Sequence, residues 1–359
     1  MKQGYANRQV KDICAKGSSQ VAQKDLEGLT GDYPIYGASG LIKNVDFYHQ
    51  EKEYIGLIKD GSGIGRVMFL PPKSSVIGTL QYILPKEGYN IRYIGYCLQS
   101  LKLDKYKQGA AIPHIYFKDY GEAQILVADN PDEQQRIVDL LDAEFAKIDA
   151  LKANAEKNLQ NAKDLFQAAL KKELEPKEGW EWSYLPSISE NLDSKRIPIT
   201  QKDRIAGVYP YYGASGIVDY VSEYLFDDDL LLISEDGANL LARSTPIAFS
   251  VSGKVWVNNH AHILKFKDMA TQKIVEYYFA SIFIDEYITG AAQPKLTQAN
   301  MNKIAIPLPP TLTDQQSIVA RLDALSEKCK ALQANYEKTL SLCDDLKQAL
   351  LRKAFNGEL

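Results

Sequence analysis

At 359 residues, with 45% hydrophobic and 25% charged side chains, the chain has an ordinary globular composition and room for two domains. No stretch approaches the roughly 20 apolar residues that span a bilayer, and Met1-Lys2-Gln3-Gly4-Tyr5 lacks the apolar core of a signal peptide, so no membrane partner and a cytoplasmic location are expected. The net charge of −4 argues mildly against a nucleic-acid binder, because phosphate contacts need a basic surface. Acidic helices can mask basic patches on a separate domain, however, so the placement of charge is the informative quantity.

In chain order, the first marked element is Tyr33-Pro34 followed by Tyr36-Gly37-Ala38-Ser39-Gly40. Its glycines permit a tight turn, and its backbone N–H groups could equally face a phosphate. Tyr54-Ile55-Gly56-Leu57-Ile58, Ser75-Val76-Ile77 and Leu80-Gln81-Tyr82-Ile83-Leu84 read as short strands between Gly, Pro and Asp turns. Gly61, Gly63 and Gly65 have no following Lys-Ser/Thr and no βαβ surround, so they predict a turn rather than a nucleotide cradle. Ile91 to Leu101 has helical periodicity with an aromatic face. A long helix opens at Pro131-Asp132-Glu133-Gln134-Gln135, with Asp132 as expected cap and Gln135 as its capping-box partner, and stops at Pro176. It should be about 42 residues, or roughly 60 Å, long.

The same order then restarts. Tyr209-Pro210 and Tyr212-Gly213-Ala214-Ser215-Gly216 repeat the first motif, and Gly290-Ala291-Ala292 with Pro294 repeats Gly109-Ala110-Ala111 with Pro113. Leu230-Leu231-Leu232-Ile233 and Lys254-Val255-Trp256-Val257 read as strands and Gln272 to Ile284 as a helix. Thr313 and Gln316 match the opening of the first long helix, and Asn356-Gly357 stops the second. Between 134 and 172 about half of the positions recur in the second copy, whereas 43–108 and 219–289 share little beyond Asp60-Gly61/Asp236-Gly237 and Ile83-Leu84/Ile263-Leu264. One scaffold thus carries two dissimilar middles, as two modules reading two different targets would.

Heptad-like stripes run along both helices. In the second they are Ile318, Leu322, Leu325, Cys329, Leu332, Tyr336, Thr339, Cys343, Leu346 and Leu350. The first has Ile137, Leu141, Glu144, Ile148, Leu151, Ala155, Asn158, Ala162, Leu165 and Ala169 in the same register. Connectivity makes the pair antiparallel. The expected organisation is α+β, with two globular domains at 1–130 and 176–311, helices at 131–175 and 312–359 as a coiled-coil spacer, and a pseudo-two-fold internal repeat.

No catalytic constellation survives inspection. Pro131-Asp132 and Glu175-Pro176-Lys177 lie at opposite ends of one helix and cannot share a metal. Asp227-Asp228-Asp229 lacks the partners of a calcium loop and reads as a turn. Asn259-His260-Ala261-His262 alternates as a strand would, placing both histidines on one face, but has no carboxylate or cysteine partner in sequence. The four cysteines show no zinc spacing, and Cys329 and Cys343 are too far apart on one helix to bridge, so free thiols are expected. No metal and no cofactor is expected on this chain. What remains is binding chemistry, because Arg and Lys hold phosphates or guanine edges and Asn pairs with adenine. The DNA-binding candidates are Lys43, Lys59, Arg66, His114 and Lys118 in the first copy. In the second they are Lys195, Arg196, Lys202, Arg204, Arg243, Lys254, Asn258, His260 and Lys295.

On the duplicated Tyr-Gly-Ala-Ser-Gly stretch, Gly290-Ala291-Ala292-Gln293-Pro294-Lys295-Leu296, and Ile306-Pro307-Leu308-Pro309-Pro310 leading to Gln315-Gln316-Ser317-Ile318-Val319, the chain resembles the specificity subunit of type I restriction–modification systems over essentially its whole length. The first copy departs modestly, with Ile125-Leu126-Val127-Ala128-Asp129 at the proline-rich position and Ile112 in place of Gln293. The resemblance implies two target recognition domains that each read half of a bipartite sequence in double-stranded DNA. It further implies helices that dock two methyltransferase subunits, with restriction subunits in the full complex. S-adenosylmethionine, Mg2+ and ATP would then act on those partners. The competing expectation is a coiled-coil adaptor that binds proteins without DNA specificity.

Overall fold

The computed structural model describes residues 4–290 and 292–359. The chain forms two compact units. One runs to Glu156 and takes in Glu337–Leu359, and the other is Lys157–Tyr336. Each unit therefore holds one globular domain with a part of both long helices.

The two globular parts follow one plan. In the first unit a four-stranded antiparallel sheet has the order Cys14–Ser18, Leu80–Pro85, Tyr54–Ile58, Val67–Leu70. In the second the order is Ser189–Asn191, Ala261–Phe266, Leu230–Ser234, Ala248–Val251. Tyr54–Ile58 and Leu230–Ser234 are buried at every position, which is why both read as continuous apolar runs rather than alternating ones. Beside each sheet stands a hairpin, Tyr33–Gly37 with Gly40–Val45 and Ala206–Gly213 with Gly216–Val221, bulged at the equivalent steps Ile35/Tyr36 and Tyr211/Tyr212. The repeated Tyr-Gly-Ala-Ser-Gly motif is its turn. Gly37 pairs with Gly40 and Gly213 with Gly216, and Gly40 and Gly216 sit at φ +113° and +122°, where a side chain is disfavoured.

A helix packs on each sheet. Ile91–Ser100 is capped by Asn90, whose side chain accepts from Arg92 N and Tyr93 N. Its counterpart is Met269–Ser281, three residues earlier at both ends than the sequence periodicity indicates. Asp268 caps it by accepting from Thr271 N at 2.7 Å, and Phe283, counted as helical, is 78% exposed beyond its end.

The long helices are Pro131–Glu173 and Leu312–Phe355. Their caps lie earlier than expected. Asn130, not Asp132, accepts from Asp132 N at 2.9 Å, and Thr311, not Thr313, exchanges hydrogen bonds with Asp314. In the first unit Asp149 pairs with Lys347 and Lys152 with Asp344, so one helix descends as the other ascends. Arg321 pairs with Glu173 in the second unit. The buried seam keeps half of the expected stripe: Ile137, Leu141, Ile148, Ala155 and Ala162 on the first helix, and Ile318, Leu322, Cys329 and Cys343 on the second. Tyr336 and Leu350 are half-buried.

The other half of the stripe is corrected by one residue. Lys152, Leu159 and Phe166 turn inward in place of Leu151, Asn158 and Leu165, and Gln333 and Lys347 in place of Leu332 and Leu346. By contrast, Phe145 and Leu340 share the seam with the equally half-buried Glu144 and Thr339, and Ser326 lies deeper than Leu325. A helix turns about 100° per residue, so steps of three and four return to nearly the same face and sequence spacing alone chooses poorly between them. Leu151, Leu165, Leu332 and Leu346 are 50%, 51%, 41% and 48% exposed, and Leu325 is half-buried.

The helix ends complete the domain cores. Ile137, Val138 and Leu141 join Leu351, Ala354 and Phe355 in the first, and Leu170 and Leu174 join Ile318 and Leu322 in the second. All four cysteines are buried and free.

Candidate nucleic-acid interface

Two loops meet in the same way in each unit. The first leaves the central strand at Lys59-Asp60-Gly61 or Glu235-Asp236-Gly237, and the second is the Gly-Ala-Ala-x-Pro loop. Gly61 N donates to Pro113 O at 2.9 Å and Ile115 N to Lys59 O at 2.9 Å. In the second copy Gly237 N donates to Pro294 O at 3.0 Å and Leu296 N to Glu235 O at 2.8 Å. Reciprocal backbone bonds close the second loop between Gln108 and His114, and between Thr289 and Lys295. Gly109 and Gly290 open it at φ +82° and +86°, where an added Cβ would come within 2.6 Å of Ile112 O or 2.4 Å of Gln293 O. The glycine is therefore a requirement of the loop. Ala291 of this motif lies outside the described residues.

The backbone is shared and the side chains are not. In the first unit Lys59 pairs with Asp60, His114 Nδ1 lies 2.8 Å from the same carboxylate, and the exposed Lys118 sits over the Tyr116 ring at 5.5 Å. Arg66 donates to Ala38 O and so ties this junction to the hairpin turn. Lys43 is not part of the group, since its ammonium donates to Leu26 O at 3.1 Å.

In the second unit the junction sits over a buried charge network. Arg196 donates to Glu235 Oε2 at 2.6 Å and to Ala261 O at 2.8 Å, and Lys295 lies 3.0 Å from Glu235. His262 bridges Asp193 at 2.6 Å and Leu296 O at 2.8 Å. Burial alone would raise the Asp193 and Glu235 carboxyls. The bond from His262 to Asp193, and those from Arg196 and Lys295 to Glu235, outweigh it and hold both below the ordinary carboxylate range. Asp193, Glu235 and His262 offer atoms within 4.8 Å of one another, the spacing of a metal site. Here side-chain cations already neutralise the carboxylates, and the second imidazole nitrogen is engaged by a carbonyl.

The expectation of two histidines on one face is corrected. His262 is buried within the strand Ala261–Phe266, whereas His260 precedes it in a turn and faces Asp236 at 2.9 Å. Their carboxylate partners lie 24 to 69 residues away in sequence, beyond the reach of local pattern.

Other candidates serve the fold. Arg243 donates to Phe279 O at 2.9 Å and Ile282 O at 2.6 Å, so its charge faces the end of a helix. Asn258 is 6% exposed and accepts from His260 N. Arg204 stacks on Tyr211 at 4.4 Å and pairs with Asp219. Lys195, near Glu190, Lys202, and Lys254 over Tyr224, remain on the surface.

The sequence reading missed the joints between domain and helix. Gln134, fully buried, donates to Ala128 O and Gly88 O and accepts from Asn90 N. Gln315 donates to Pro309 O and accepts from the Thr271 hydroxyl. Tyr96 donates to Asp142, and Tyr277 likewise to Asp323. Each of these pairs recurs at the repeat interval, a signal that was available.

A family model for the type I restriction modification DNA specificity domain matches residues 2–161 and again 177–341. The chain belongs to this family. One relative of the specificity domains, a type I restriction enzyme specificity subunit of Haemophilus influenzae, is 36% identical over 146 residues, 41% of this chain and only 37% of that protein. A solved chain from work on complex assembly and conformational transition of the type I restriction–modification system has a TM-score of 0.76 at 15% identity, covering 100% of this chain and 99% of that one. The HsdS subunit of Thermoanaerobacter tengcongensis has a TM-score of 0.55 at 16% identity, covering 100% and 98%. At such identities these two likenesses speak for the fold. No helix among the described residues of the two specificity domains is long and apolar enough to cross a membrane.

Proposed function

We propose that this chain directs a type I restriction–modification enzyme to its DNA target, each specificity domain binding one half of a bipartite sequence in double-stranded DNA. The observation that carries this reading is the two-loop junction, built on one backbone and furnished with Lys59, His114 and Lys118 in one unit and His260 and Lys295 in the other. Identical supports with different hydrogen-bonding sets suit two different half-sites. The chain itself does no chemistry, and the carboxylate cluster of Asp193 and Glu235 is closed by ion pairs with Arg196 and Lys295. S-adenosylmethionine, Mg2+ and ATP belong to two methyltransferase subunits and to restriction subunits, and the assembly works in the cytoplasm.

Co-expressed with its methyltransferase partner, the chain is expected to place adenine methylation on one bipartite motif with a fixed gap. Methylome sequencing that finds no such motif removes this reading. Salt-sensitive binding to duplex DNA separates it from a protein adaptor. A seven-residue insertion beside Ala155, matched on the facing helix, is expected to lengthen the gap while both half-sites stay the same. An unchanged gap would show that the helices do not set it.

A further inference from the structure

We propose that residues 102–107 of the first unit form a phosphate-gripping spur for duplex DNA that the second unit lacks, so that salt-dependent affinity is drawn mainly from the first specificity domain. This rests on the DNA-specificity reading and adds to it an inequality between the two domains.

Lys102, Lys105 and Lys107 are all exposed, and none makes an ion pair among the described residues. Lys102 holds φ +50°, a left-handed conformation unusual for lysine, and opens the 3-10 turn Leu103–Tyr106. That turn is fixed from beneath. Leu103 is buried in the core and meets the glycine-rich loop so closely that a Cβ on Gly65 would stand 2.9 Å from Leu103 Cβ. Lys105 lies over the Tyr106 ring at 5.1 Å, and the chain then enters the Gly109 loop and reaches His114, Tyr116 and Lys118. Four lysines and His114 thus follow within seventeen residues of chain, interleaved with aromatic rings and adjoining Lys59 and Arg66.

The second unit keeps the turn, as Asp285–Tyr287, and changes its charge. At the repeat interval Phe283, Glu286 and Ile288 stand where Lys102, Lys105 and Lys107 stand. The second unit forms a 3-10 turn there although Phe283 lacks the left-handed φ of Lys102, so the turn itself does not need the lysines. Phosphate contacts carry no base information, so they can be concentrated in one domain without loss of sequence discrimination.

The test uses the full chain assembled with its methyltransferase partner, binding duplexes with and without the methylated motif across a salt series. K102Q/K105Q/K107Q is expected to lower the slope of log affinity against log salt by about 2.7, or about 0.9 for each phosphate contact, on both duplexes, with the methylated motif unchanged. An unchanged slope overturns the proposal, and so does a changed first half-site, which would make these lysines base readers. Glu286→Lys in the second unit should raise the slope by about 0.9, and no rise overturns the proposal independently of how the triple variant folds. If the unaltered complex shows no salt-dependent duplex binding, the specificity reading itself fails instead.

Discussion

Arg196→Met is expected to destabilise the second unit by about 3–5 kcal/mol at neutral pH, because it removes one partner from a buried ionic group and leaves Glu235 and Asp193 short of positive charge. The Arg196 side chain is only 15% exposed and also satisfies the carbonyl of Ala261, so water cannot readily replace it. The pH dependence has a definite sign. Both carboxyls are held below their ordinary range, so the stability they contribute is present above the unfolded carboxylate pKa and is lost as pH falls through the folded value. In the variant that support is already weakened, and protonation neutralises the stranded carboxylates. The deficit should therefore narrow toward acid pH. Hydrogen exchange on Leu230–Ser234 and Ala261–Phe266, compared at neutral and acid pH, checks this. Unaltered protection at neutral pH would show that Arg196 is dispensable.

L151E/L346E is expected to reduce the methyltransferase content of the purified complex from two subunits to one. Leu151 and Leu346 both belong to the first unit and lie beside the Asp149–Lys347 and Lys152–Asp344 ion pairs. They are large apolar side chains on helices whose seam does not use them. Leu332 and Leu165 are their repeat equivalents in the second unit, so each unit offers one such pair. Covering what remains exposed of these two half-buried leucines is worth about 1.5–3 kcal/mol, enough to change affinity by about 10- to 150-fold. Native mass spectrometry reads the stoichiometry, and L165E/L332E should give the same loss at the other unit. Retention of both subunits by either variant places the docking surface elsewhere.

Much of this architecture was legible because its signals are local or repeated. The Ala-Ser turn, the strands Tyr54–Ile58 and Leu230–Ser234 and both long helices announce themselves through glycine placement, apolar runs and helical period. The seam was half legible. Leu151 and Leu332 satisfy a three-residue step as well as Lys152 and Gln333 satisfy a four-residue one, and hydrophobicity favoured the wrong pair. Lys152 and Lys347 turn inward since their aliphatic stems pack while their ammonium groups reach Asp344 and Asp149. The charged network was not legible at all. His262 looked unpartnered because Asp193 reaches it from a turn 69 residues earlier, and Arg243 looked like a DNA contact because nothing near it in sequence reveals the helix end it caps.

The joint at Gln134 has a consequence for how such chains change over time. All three of its hydrogen bonds go to main-chain atoms, the carbonyls of Gly88 and Ala128 and the N–H of Asn90. A side chain that grips only backbone is indifferent to the residues around it. As far as this joint is concerned, a domain need only bring a strand end and a helix start to the same two places, whatever its loops contain. Gln315 keeps most of that freedom and asks in addition only for a hydroxyl such as that of Thr271. The hydrogen-bonded coupling is generic while the domain is particular, and what a new domain must still match is the apolar helix face of Ile137, Val138 and Leu141.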